Sequence, residues 1–115
     1  MPSHLRWFAV VAMVLISTTE LAAKTPSKAI GEACGFRILS SAVRFRDLVK
    51  GNDDRAATKL FLDNQSVGLA RILAKGGLIS LEDRSDGMAC VKRAGEPFCY
   101  WMSTKDFEAL VGGGK

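Results

Sequence analysis

Three cysteines, Cys34, Cys90 and Cys99, are the residues of this chain best suited to covalent chemistry. None of them forms a Cys-x-x-Cys pair, and a haem attachment site would need a His beside the second Cys. The one histidine, His4, lies in the first 23 residues. Residues 24–115 therefore lack an imidazole for most catalytic triads and zinc sites. No phosphate-binding loop or dinucleotide fingerprint occurs. Asp53/Asp54 and Glu82/Asp83 are the acidic pairs, and both fall in expected turns, where solvated charge accounts for them. A small two-carboxylate hydrolase is the enzyme that such pairs would serve, and it is the least favoured function for this sequence. No catalytic, metal or cofactor-binding residue is assigned, and no cofactor is expected.

The N-terminus decides which compartment the thiols meet. Arg6 and His4 supply a basic start, and Trp7 to Ile16 is an unbroken apolar run. Such a run fits the core of a secretory signal and falls short of the roughly 20 residues of a membrane span. Leu21-Ala22-Ala23 offers small residues for cleavage after Ala23; an uncleaved anchor is the alternative. Arg6 and Glu20 leave together, so the net charge stays +4 after cleavage. A chain so processed is periplasmic or secreted, with no stable membrane span, and its cysteines read as disulfide partners rather than metal ligands. The basic residues are scattered with no run of three, which argues against a nucleic-acid partner.

The positioning elements follow from periodicity. Residues 24–35 carry Pro26, Gly31 and Gly35 and read as a loose lead-in with a helical turn around Cys34. Over 36–50, Ile38, Ala42, Phe45 and Val49 recur at helical spacing with Arg37, Arg44, Arg46 and Lys50 on the flanks. Lys50-Gly51 stops that helix, and Gly51 to Asp54 form a turn. From Ala57 onward short apolar runs alternate with turn residues, the mark of strands. These are Leu60–Leu62 (ended by Asp63 to Ser66), Leu69–Leu73, Leu78–Leu81, Met88–Lys92 and Phe98–Met102. Ser103 or Thr104 can cap a closing helical turn up to Leu110.

If Ala94-Gly95 is a two-residue hairpin loop, Arg93 faces Glu96, Lys92 faces Pro97, Val91 faces Phe98 and Cys90 faces Cys99. The 92/97 and 90/99 pairs are then the open pairs of the ladder, where Pro97 owes no N–H and the Cα atoms approach to bridging distance. A Cys90–Cys99 disulfide is expected. Its ring of about ten residues would stabilise the fold by about 2.5–3 kcal/mol. Cys34 is left as a buried thiol, a link to a second subunit, or the true partner of one of the other two.

Residues 60–107 also carry an ordered set of short motifs: Leu60-Phe-Leu-Asp-Asn-Gln-Ser66, Leu73-Ala-Lys-Gly76, Leu78-Ile-Ser-Leu81, Gly87-Met88, Val91-Lys-Arg93, Tyr100-Trp101-Met102 and Ser103-Thr104-Lys105-Asp106-Phe107. In order and spacing they resemble the bacterial Src-homology-3-like domains of exported and cell-wall proteins. Met88 stands where that family has its first Trp, and Tyr100 where it has Gly. The resemblance implies a five-stranded barrel that binds a peptide, a wall component or an exported protein, with its aromatic groove mapping onto Trp101 and Tyr100; a structural Trp101 in the core is the alternative. The expected fold class is thus α+β, an N-terminal amphipathic helix on a small antiparallel β-barrel or meander. Residues 1–23 are the signal peptide, 24–56 the lead-in and helix, 57–110 the β domain and 111–115 a flexible tail. The leading functional expectation is a non-catalytic binding module. The alternative is an accessory or inhibitor protein that docks through Arg44 and Arg46.

Overall fold

A computed structural model describes residues 26–112. The expected signal peptide with Ala23, and residues 113–115 of the expected tail, lie outside them. Among the described residues six strands and three helices follow one another: β1 (Ser27–Lys28), β2 (Ala33–Phe36), α1 (Leu39–Lys50), α2 (Asp54–Ser66), β3 (Ala70–Leu73), β4 (Leu78–Ser85), β5 (Met88–Arg93), β6 (Cys99–Ser103) and α3 (Thr104–Val111). The strands form one open sheet in the order β1-β4-β5-β6-β2-β3, antiparallel at every step. The class is α+β. No helix among the described residues is long and apolar enough to cross a membrane.

The sheet is buried on both faces at its centre. Met88, Ala89, Cys90 and Val91 of β5 are all buried, as a strand covered on both sides requires. One face packs Phe36, Ala70, Met88 and Trp101 against α1 and α2 through Ala42, Val43, Phe45 and Phe61. Phe36 is the hinge of that layer, with Phe45 at 5.2 Å and Phe61 edge-on at 5.9 Å. The other face packs Leu73, Ile79, Ala89, Val91 and Met102 against Phe107, Leu110 and Val111 of α3.

Several expected boundaries are corrected. The described part of the lead-in is ordered: Ser27–Lys28 pair with β4, Ala29 is buried, and the Ala29 N–H donates to Gly77 O at 2.9 Å. Cys34 lies in β2 opposite Ile72, not in a helical turn. The first helix starts at Leu39 rather than residue 36, because Phe36 pairs with both Ala70 and Trp101 in the sheet.

The strand expected at Leu60–Leu62, and the turn after it, form one helix, α2. Asp53 caps it by accepting from the Ala56 N–H at 3.3 Å, while Lys59 pairs with Asp63 one turn on at 2.8 Å. Three residues fit either period, and the burial of Ala57 with Phe61 decides for the helix. Residue Val111, placed in the tail, ends α3, and Gly112 closes the helix in the left-handed conformation at φ 79°.

The β4–β5 hairpin turns on Asp86-Gly87, both with positive φ, the pairing that a two-residue turn of matching twist requires. The β5–β6 hairpin departs from its expected register. Cys90 faces Trp101 and Lys92 faces Cys99, so residues Ala94–Phe98 form a longer loop. Three contacts hold that loop out of the ladder. Glu96 N–H bonds Arg93 O at 3.1 Å, the Glu96 carboxylate takes Arg71 Nη1 at 2.6 and 2.7 Å, and Arg37 stacks 3.6 Å over Phe98. The Cys90–Cys99 bridge forms all the same, across the diagonal, with Cα atoms 5.3 Å apart.

Candidate functional site

At the end of the sheet opposite the Ala94–Phe98 loop, four pieces of chain enclose a cleft of about 700 Å³. They are the start of β2, the second half of α1, the β4–β5 turn and the β6–α3 junction. Each is placed by a local rule. Helical spacing sets Phe45, Arg46, Val49 and Lys50 along one edge of α1. The tight Asp86-Gly87 turn brings Gly87 O within 2.9 Å of both the Thr104 N–H and its hydroxyl. Ser103 Oγ accepts from the Asp106 N–H at 3.1 Å, which starts α3 at the rim of the cleft.

Ala33, Cys34, Phe45 and Val49 give the cleft an apolar floor; Arg46, Lys50 and Lys105 supply cations, and Glu32 and Asp106 carboxylates. Arg46 is fixed. Its Nη1 donates to Asp86 O at 3.1 Å and contacts Met88 Sδ at 3.5 Å, and its Nε reaches Asp47 at 3.2 Å. Neither Lys50 nor Lys105 has an ion-pair partner among the described residues. Cys34 is a free, half-buried thiol in the cleft wall. Burial pushes its pKa above the ordinary 9.0, and the Asp106 carboxylate adds to the rise. It is therefore a neutral thiol at pH 7, the weakly nucleophilic form.

The residues singled out from sequence do not make one surface. Trp101 is half-buried against the layer of α1 and α2, whereas Tyr100 points to the opposite face, with Arg71 5.8 Å over its ring. Alternation along β6 separates them. Arg44 is exposed, and Arg46 is drawn to the β4–β5 turn. Two residues apart on a helix they face away from each other. Of the residues expected to bind a partner, the cleft receives Arg46 alone. Cys34, Phe45, Val49, Lys50 and the 103–106 junction join it, although sequence marked them only as a thiol, a packing stripe and a helix cap. No period in the chain links positions 34, 46 and 105.

Among the described residues no group of three or more His, Cys, Asp or Glu side chains could hold a metal ion. No buried side-chain nitrogen or oxygen lacks a partner there. Comparison with protein-family models, with curated proteins and with solved structures gives no match.

Proposed function

We propose that this chain is an exported, non-catalytic binding module that holds a segment of a peptide, an exported protein or a cell-envelope component in the cleft between α1 and the β6–α3 junction. The observation that carries the reading is the cleft itself. An apolar floor beside fixed and unpaired cations, in a volume within the range of ligand pockets, is the mixture that recognition sites use. The Cys90–Cys99 bridge supports an oxidising location. The antiparallel run β4–β5–β6 followed by α3 is the part of the Src-homology-3-like pattern that supports a module of that type. On this reading Trp101 and Tyr100 steady the sheet, and the partner meets α1 and α3. A disulfide link to a second subunit through Cys34 would require the partner's thiol to enter the cleft.

The second reading, an accessory or inhibitor protein docking through the outer side of α1, is favoured by the exposed Arg44. Recovery of partners from envelope extract, with Val49→Glu and Arg44→Glu variants beside the parent, separates the two. Val49 is 45% exposed at the cleft, so its replacement leaves the core alone. A partner lost with Val49→Glu and kept with Arg44→Glu supports the cleft. The reverse pattern supports the helix and refutes the cleft.

A further inference from the structure

We infer that the occupant of the cleft is an extended peptide segment that joins the sheet as a short strand beside β2, paired through the backbone of Cys34. The inference rests on the cleft being the binding site and adds the class of ligand and its pose. The cleft opens where β2 and β6 part. Along β6 the Thr104 N–H donates to Gly87 O. Antiparallel alternation then turns the backbone groups of Tyr100 and Met102 to β5, and those of Trp101 and Ser103 to β2. Along β2 the Arg37 N–H donates to Leu69 O. By the same alternation Ala33 and Gly35 bond β3, while Cys34 and Phe36 turn to β6. Phe36 pairs with Trp101 as that requires, but Cys34 and Ser103, next in the same register, do not pair. Ser103 is the N-cap of α3, and a cap residue commits its carbonyl to the first turn of its helix. The N–H and C=O of Cys34 thus face the seam without a registered partner, and Cys34 and Ser103 both line the cleft.

An unpaired stretch of strand edge is a template for another strand. One extended peptide residue carries an N–H and a C=O on the same edge and can exchange both bonds with Cys34; a hydrocarbon chain carries neither. Register fixes the side chain as well. Residues directly opposite in an antiparallel pair project to the same face, and Cys34 lies on the face that α1 covers, with Phe36 and Phe45. The peptide residue opposite Cys34 therefore sends its side chain toward Phe45 and Val49, where an apolar one is matched. Its two neighbours point to the other face. The recognised unit is one apolar residue with its own backbone. Neither the Cys34 thiol nor the charges of the rim enter into it.

The test uses the oxidised protein and alanine pentapeptides, capped at both ends, with Leu, Phe, Val or Met at the centre. Each is also made with the central nitrogen methylated, and decanoate and N-acetylglucosamine serve as lipid-like and glycan-like comparisons. Amide chemical shifts and hydrogen exchange read both the open edge and its occupation. In the free protein the Cys34 amide should exchange at least about tenfold faster than the Phe36 amide, as unpaired backbone does. At least one peptide should shift the Cys34 resonance saturably and slow its exchange. Methylation should weaken that peptide about tenfold, because it leaves the Cys34 carbonyl without its donor, and Val49→Glu should weaken it as well. Equal exchange at Cys34 and Phe36, equal binding of methylated and parent peptides, binding of decanoate or N-acetylglucosamine alone, or no peptide binding at millimolar concentration overturns the inference. A partner from extract that still responds to Val49→Glu in those cases shows that the module reading stands without it.

Discussion

Gly35 joins the two halves of the sheet, and adding one methyl group there should split them. The hairpin-like pair β2–β3 meets the meander β4–β5–β6 at a single registered pair, Phe36 with Trp101. Gly35 does not have a positive φ, so its role is space rather than backbone freedom. A Cβ at this position would lie 2.7 Å from Tyr100 Cβ and 2.8 Å from Leu73 Cδ1. Carbon atoms rest at about 3.5–4.0 Å, so β6 would have to withdraw by roughly 1 Å. The Leu73 methyl can swing aside, whereas Tyr100 Cβ is fixed to the backbone. Overpacking costs about 1–3 kcal/mol, and a contact against backbone places Gly35→Ala near the top, about 3 kcal/mol. Against a domain stability of about 5–15 kcal/mol that is a large share, and it lowers Tm by roughly 10–20 °C. Equilibrium urea unfolding of the oxidised protein by far-UV circular dichroism measures it. Gly31→Ala is the control, because its nearest neighbour, Ala109 O, is at an ordinary 3.6 Å. If Gly35→Ala unfolds within about 0.5 kcal/mol of the parent, β2 and β6 do not meet as described.

Two further outcomes follow from the cysteines. The double variant Cys90→Ala, Cys99→Ala should lose about 2.5–3 kcal/mol by the chain-entropy argument, and non-reducing peptide mapping of the parent should recover these two cysteines linked; an unlinked pair, or unchanged stability, contradicts the bridge. For Cys34, burial and then Asp106 raise the thiol pKa above 9.0, so the folded state favours the protonated form. Its contribution to stability is whole below about pH 9 and is lost as pH climbs through the folded pKa. Iodoacetamide should therefore react slowly at pH 8. Asp106→Asn, which removes the smaller cause, should speed alkylation in part without restoring a free-thiol rate. An unchanged rate would mean that Asp106 does not act on the thiol.

The chain announced its local grammar well. Alternating apolar residues marked β3 to β6, Lys50-Gly51 marked the end of α1, and Ser103 marked the start of α3. The helix α2 was illegible because Leu60-Phe61-Leu62 is too short to distinguish the two periods. Asp63 to Ser66 looks like a turn until Lys59 and Leu60 are seen to hold it helical. The disulfide was reached through a hairpin register that the fold does not adopt. The two cysteines share one face of neighbouring strands in either register, so the diagonal pairing bridges them as well.

Local sequence thus settled that Leu69–Leu73, Leu78–Leu81, Met88–Lys92 and Phe98–Met102 hold strands, that α1 stops at Lys50-Gly51 and α3 starts at Ser103, and that Cys90 and Cys99 can meet, because those depend on neighbours within a few residues. Strand order lay beyond it. Only the tertiary structure inserted β2 beside β6, put Trp101 and Tyr100 on opposite faces, and brought Cys34, Arg46 and Lys105 to one cleft. The physical reason is that burial of Phe36 and Leu73 on the two faces of the sheet selects the long-range pairing, and no single stretch of chain carries that information.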